Sequence, residues 1–191
     1  MGSTSGDVSG ERVEIAGAEA LVWGEGRCGV VLAHGVVFDA ASWTPQAARI
    51  AHEGMMAIAV EDVAPGSILA AAEYLKAERG VEHVVLLGGS AGADAILEAV
   101  LQEPGSADQL ILLSANRPVE GLGAEPKLFV ASEGEPVTGV SRQLGRTAAG
   151  EENEVEILPG DAHAQHIFNT EQGEPLMRLI LGRLERFSAK P

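Results

Sequence analysis

The segment Val84-Val85-Leu86-Leu87-Gly88-Gly89-Ser90-Ala91-Gly92-Ala93 constrains the fold of this chain more than any other. Four consecutive apolar residues are too few for a buried helix, and the Gly88-Gly89 pair that closes the run makes it a strand. Residues 91–101 are rich in Ala, Leu and Glu and read as a helix. Ser90 therefore stands on a sharp strand-to-helix corner, its side chain directed out of a sheet edge toward solvent. So tight a corner calls for glycine two residues before and two residues after the serine, and Gly88 and Gly92 occupy those positions.

Short apolar runs and helical segments alternate along the rest of the chain. Residues 12–15 and 20–23 read as a hairpin turning at Ala16-Gly17-Ala18. Residues 29–33 are apolar throughout, as in a strand covered on both faces. The run 41–53 carries Ala47, Ala48, Ile50 and Ala51 on one side and is predicted as one helix stopped by Gly54. A strand over 55–60 follows, and Ser67 is predicted to cap a helix that runs to Arg79 and ends at Gly80. Beyond the serine corner, residues 110–113, 127–131 and 155–158 supply strands, and 139–148 and 175–187 supply helices. Buried strands separated by helices imply the α/β class, a mainly parallel twisted sheet of about eight strands with helices on both faces. With no internal repeat or linker, residues 11–191 are expected to form a single domain behind a flexible, Gly/Ser-rich leader over residues 1–10.

A chain of 191 residues can bury one sizeable core, and 46% hydrophobic with 21% charged residues excludes a disordered chain. No apolar run approaches the roughly 18 residues of a membrane span. Thirteen basic residues against 28 acidic ones give a formal net charge of -15, which repels phosphate backbones and anionic lipid surfaces. Neither nucleic acid nor membrane is an expected partner. The lone Cys28 has no internal disulfide partner, and residues 1–10 lack the basic and apolar regions of a secretory signal, so the expected location is the cytoplasm. The acidity does not decide the oligomeric state.

In such sheets reactive groups collect where strands end and loops begin. His34-Gly35-Val36-Val37 follows the strand 29–33, and Ser90 follows the strand 84–87. Glu133 and Glu135 follow 127–131, and Pro159-Gly160-Asp161-Ala162-His163 follows 155–158. A nucleophile, a carboxylate and a histidine thus come after three separate strands, in that chain order. A serine hydroxyl is a poor nucleophile at neutral pH. An imidazole must take its proton as attack begins and pass it to the leaving group, while a carboxylate on the far ring nitrogen sets the tautomer.

From about Val13 onward the sequence resembles the α/β-hydrolases, specifically the small lidless type that includes dienelactone-hydrolase-like enzymes and carboxylesterases. The resemblance rests on four pieces in the family's order: His34-Gly35 after the third strand, the Gly88-to-Gly92 nucleophile elbow, an acid after the seventh strand, and Pro159-Gly160-x-x-His163 after the eighth. It implies Ser90 as nucleophile, His163 as general base and Glu135 as the orienting acid, with Glu133 as the alternative. The family's Gly-x-x-Asp pattern aligns with Ser132-Glu133-Gly134-Glu135, departing from it with Ser for Gly and Glu for Asp. The resemblance also implies an oxyanion hole from the backbone amides of Ala91 and Val36, with Val37 as second choice, and a structural role for His34 in that loop. Losing one such donor would lower turnover roughly 10²–10³-fold. Dienelactone-type enzymes carry cysteine at the elbow, so Ser90 favours general ester cleavage.

Val37, Phe38, Trp43 and Phe168 fall near this site and are candidates to line an acyl or alcohol pocket, with core packing as the alternative for the aromatic residues. His163 and His166 have no cysteine or acidic cluster to complete a zinc set, so no metal or cofactor is expected. Cys28 reads as a small packed residue. Many α/β-hydrolases insert a cap between the sixth and seventh strands. Here only residues 115–126 lie between those runs, with Pro118, Gly121 and Gly123 among them, too short for a lid. The expectation is an open site for small or exposed ester substrates, cleaved through a covalent acyl-enzyme. Thioester hydrolysis, acyl transfer or perhydrolysis on the same residues, and a non-catalytic binding role, are the alternatives.

Overall fold

The computed structural model describes residues 9–188, so most of the expected leader, residues 1–8, lies outside the described residues. Eight strands form one sheet: β1 (Glu11–Ile15), β2 (Ala18–Trp23), β3 (Cys28–Ala33), β4 (Met56–Val60), β5 (His83–Gly89), β6 (Gln109–Leu113), β7 (Lys127–Ser132) and β8 (Asn153–Leu158). Their spatial order is β1-β2-β4-β3-β5-β6-β7-β8. The β1–β2 hairpin joins β4 antiparallel, and from β4 through β3 to β8 every pairing is parallel. The expected hairpin and the mainly parallel sheet are both present.

Helices α1 (Thr44–His52), α2 (Pro65–Arg79), α3 (Ala91–Gln102), α4 (Thr138–Thr147) and α5 (Gly173–Ser188) cover the two faces. On one face Val31, Leu86, Leu112 and Phe129 pack against Ile68, Leu75, Ile96 and Leu144 from α2, α3 and α4. On the other face Val30, Leu32, Val85 and Ile111 pack against Ile50, Leu176, Ile180 and Leu184 from α1 and α5. Successive strand residues point to opposite faces, so a strand covered on both sides must be apolar at every position. Among the described residues no helix is long and apolar enough to cross a membrane.

The structure differs from the sequence expectations at two helix starts. The run 41–53 is split: Asp39 accepts a hydrogen bond from the Ser42 amide and caps a 3₁₀ turn at Ala40–Trp43, before α1 begins with Pro45 in its first turn. Ser67 is not a cap. It lies buried inside the first turn of α2, where its hydroxyl donates to Asp62 Oδ2 at 2.7 Å, while Asp62 Oδ1 accepts the Ala64 amide at 3.0 Å. No side chain caps α2, whose N-cap is Ala64; the Ser67 hydroxyl and the Ala64 amide hold the Asp62 carboxyl below the usual range. Gly80 ends α2 in the left-handed conformation, at φ +70°, as expected.

The connection from β6 to β7 contains no helix; residues 114–126 run as an irregular strap. Lys127 anchors it. Its ammonium, fully buried, donates to the carbonyls of Gly123 (2.5 Å), Glu125 (2.6 Å) and Ala149 (2.9 Å), so one cation satisfies three backbone acceptors from two loops. Burial pushes its pKa down, and the nearby Glu125 carboxylate opposes that shift. Replacing Lys127 with Met would remove all three of these charged hydrogen bonds. Lys127→Met is expected to lower unfolding free energy by about 3 kcal/mol or more, read as a shifted urea midpoint at unchanged slope.

Candidate active site

The parallel strands deliver their C-terminal ends to one edge of the sheet, and Ser90 sits there at the β5–α3 corner. Its backbone is at φ +53° and ψ -118°, a conformation that costs a non-glycine residue of order 1–3 kcal/mol and persists only where its surroundings enforce it. The flanking glycines are needed for close approach rather than for positive φ. A Cβ at Gly92 would stand 2.2 Å from the Ala33 carbonyl oxygen at the end of β3, and one at Gly88 would stand 2.8 Å from the Gly92 backbone. The start of α3 is thus pressed onto β3, and the serine takes up the strain.

Ser90 is half-buried, and its hydroxyl donates to His163 Nε2 at 2.8 Å. The other ring nitrogen, His163 Nδ1, lies 2.9 Å from Glu135 Oε1. A carboxylate can only accept, so the proton resides on Nδ1 and leaves Nε2 free to receive the serine's proton. Glu135 is buried and fully engaged: its Oε2 accepts the Ser114 hydroxyl at 2.9 Å and the Ser132 amide at 2.7 Å. Glu133, the alternative acid, is exposed, with no side-chain contact to His163.

The loops after β7 and β8 are tied together, and this positions the imidazole. The Glu133 amide donates to the Leu158 carbonyl and the Gly134 amide to the Gly160 carbonyl, each at 2.8 Å. The Ser132 hydroxyl donates to the Ala162 carbonyl, adjacent to His163, at 2.5 Å. Ser132, which departs from the family pattern, thus joins the acid's loop to the histidine's loop. Ser114 adds a second tie, because its hydroxyl also accepts the Ala164 amide at 2.8 Å.

After β3 the chain makes a turn closed by the Phe38 amide on the Gly35 carbonyl at 3.0 Å. Both ring nitrogens of His34 lie against main-chain carbonyls, those of Gly35 at 2.8 Å and Glu61 at 2.9 Å, which fastens the turn to the end of β4. Gln165, buried two residues after His163, accepts the Gly35 amide at 3.0 Å and donates to Ser42 Oγ at 2.9 Å. Among the described residues, no hydrogen bond engages the amides of Val36 and Ala91. They flank Ser90 from the β3 side and from the first position of α3.

Of the expected pocket residues, Val37 is exposed and Phe38 half-buried, with its ring centroid 4.9 Å from that of His166. Trp43 is a correction: it is fully buried in the core with α1 and α5, edge-on to Phe168 at 6.0 Å, and lines nothing. Phe168 borders a cleft between α1 and the start of α5, lined also by Pro45, Arg49 and Met177. That cleft contains none of Ser90, His163 or Glu135. Cys28 is a packed residue, buried beneath Ser188, and burial pushes its thiol pKa up. Among the described residues no group of three or more His, Cys, Asp or Glu could hold a metal ion.

One contact to Ser90 was not anticipated. Asn116, at the end of β6, donates through Nδ2 to Ser90 Oγ at 3.3 Å and to Asp94 Oδ2 at 2.9 Å. Its backbone amide donates to Asp94 Oδ1 at 2.8 Å, so Asp94 clamps it from α3. Ser114, Asn116 and Gln165 belong to no motif. The only sequence signal for them was a polar residue at or just past a strand end.

No protein-family model matches the chain, and no curated protein matches it in sequence. Solved structures do match in fold. EstE5, crystallised with a p-nitrophenyl butyrate soak, superposes with a TM-score of 0.80 at 15% identity over 95% of this chain and 85% of its own. Est1E from Butyrivibrio proteoclasticus superposes at 0.74, with 14% identity, over 95% of this chain and 100% of its own. A monoacylglycerol lipase of Paleococcus ferrophilus gives 0.72 at 14% identity over 92% and 100%. The chain has the α/β-hydrolase fold, and among the described residues no cap lies between β6 and β7.

The close approach at the corner is testable. Gly92→Ala is expected to lower stability by about 1–3 kcal/mol, because the methyl meets backbone that cannot rotate away. The measurement is chemical denaturation of the variant beside Gly182→Ala, whose added methyl meets no atom within 4 Å.

Proposed function

We propose that this protein is a serine hydrolase that cleaves carboxylic esters, with Ser90 as nucleophile, His163 as general acid–base and Glu135 as orienting acid. The observation that carries this reading is the unbroken hydrogen-bond chain from Ser90 Oγ through both His163 nitrogens to buried Glu135, at 2.8 and 2.9 Å. The esterases and lipase that share the fold support it.

Ser90 Oγ attacks the ester carbonyl carbon while its proton passes to His163 Nε2, forming a C–O bond to the enzyme. The negative charge on the carbonyl oxygen is taken by the amides of Ala91 and Val36, which hold no hydrogen bond among the described residues. Collapse breaks the bond to the alkoxy oxygen, which leaves with the proton held by His163. Water then repeats the sequence: it loses a proton to His163, attacks the acyl carbon and expels Ser90 Oγ, which takes the proton back. Glu135 steadies the imidazolium at both stages. The steps need no cofactor. The absence of a cap leaves room for small or exposed acyl groups rather than substrates that must be enclosed.

A fluorophosphonate probe is expected to label Ser90, and Ser90→Ala to lose both labelling and p-nitrophenyl butyrate turnover. Glu135→Gln should lower kcat roughly 10⁴-fold by disfavouring the productive tautomer. Glu133→Gln should stay within about twofold of wild type, since surface changes away from such contacts move free energies by only about 0.5 kcal/mol. Labelling of folded protein at another residue, or none at all, contradicts the proposal.

A further inference from the structure

We infer that the ester substrate's acyl chain lies in the cleft between α3 and the β6–β7 strap, and that the preferred substrates are esters of medium-length, unbranched aliphatic acids. This deepens the function proposed above and rests on it. The cleft has a volume of about 280 Å³. Leu97, Leu101, Pro118 and Val119 form its apolar lining, and Asp94, Glu98 and Arg117 its charged rim.

Three observations connect this cleft to Ser90. Its upper end is Asp94, which clamps Asn116, and Asn116 in turn touches Ser90 Oγ, so the mouth lies two hydrogen bonds from the nucleophile. Substrate geometry leaves this direction for the acyl chain. The leaving alcohol must stand beside His163 Nε2 to receive its proton, and the carbonyl oxygen must face Ala91 and Val36. Val36 follows β3 and Asn116 follows β6, the two strands on opposite sides of β5. The acyl chain then lies on the side away from Val36, toward β6 and α3. Finally, among the described residues the exposed large hydrophobics are Val36, Val37 and Leu101. Two stand on the turn beside Ser90, and the third closes the far end of this cleft.

From Asp94 to Leu101 the cleft follows α3 for about 10 Å. At about 1.5 Å per C–C bond, a chain must exceed about four carbons before it enters the mouth. Acetate and butyrate esters are thus too short to use the cleft. Beyond that length each buried methylene should raise kcat/KM about three- to fourfold until the cleft is full. The strap between β6 and β7 forms no helix that could cover Leu101, which stays exposed at the cleft while Leu97 is buried beneath it.

The experiment is kcat/KM for p-nitrophenyl acetate, butyrate, hexanoate and octanoate on wild type, Leu101→Gln and Val119→Trp. The expected result is a rise between butyrate and octanoate in wild type. Both variants should lose that rise by at least tenfold on octanoate, with butyrate turnover within twofold. Leu101 is partly exposed, so Leu101→Gln tests the cleft even if Val119→Trp fails to fold. A flat wild-type profile, or a rise that survives both substitutions, overturns the inference while leaving ester hydrolysis at Ser90 intact. No turnover of any ester by folded wild type overturns both.

Discussion

The site depends on one steric contact, the pressing of the α3 N-terminus against the end of β3. With no side chain at position 92, the helix backbone comes within a distance at which a methyl group would sit 2.2 Å from the Ala33 oxygen. That approach forces the turn between β5 and α3 into Ser90, which holds a positive φ unusual for a residue with a Cβ. The cost falls at the position where a hydroxyl must be held clear of the sheet, and the packed strands around β5 supply the rigidity that keeps it there. The same contact brings the first amide of α3 next to the turn after β3, so the two proposed oxyanion donors are set by the helix-to-strand distance.

A second set of contacts positions Glu135 and His163. The loops after β7 and β8 are joined by two backbone hydrogen bonds and by the Ser132 hydroxyl, so Glu135 and His163 belong to one unit rather than to two flexible loops. Ser114 and Gln165 connect this unit to β6 and to the turn after β3. Every side chain in the Ser90–His163–Glu135 chain is thereby held by a neighbour that does no chemistry itself. For the proposed hydrolase such preorganisation would make an open site workable, because the geometry exists before substrate arrives.

Most of the fold was legible in the sequence because the central strands are buried on both faces. Runs such as Cys28–Ala33 and Met56–Val60 are apolar at every position, which leaves little ambiguity between glycine-marked boundaries. The elbow was legible for the same reason the site depends on it: glycine is the residue type that permits the approach. The resemblance implied Glu135 ahead of Glu133, and the structure buries the first and exposes the second. Local signals failed where a partner distant in sequence or a competing neighbour decided the outcome. Ser67 looks like a cap, but Pro65 starts the helix earlier and the Ser67 hydroxyl turns to Asp62 instead. Trp43 lies near the site in sequence, yet a large apolar ring gains more from the core against Phe168 than from a rim. Ser114, Asn116 and Gln165 were missed because their roles depend on β6 and β8 lying beside particular loops, which no spacing in the chain encodes.

The central claim is that Ser90 carries the acyl group during turnover. Acid quench of wild type during steady-state hydrolysis of p-nitrophenyl butyrate, followed by mass spectrometry of the peptide containing Ser90, tests it most directly. The expected result is a butyryl increment on that peptide, enhanced when the butyryl group is slow to hydrolyse and missing in Ser90→Ala. Turnover with no covalent adduct, or with the adduct on another residue, would contradict it.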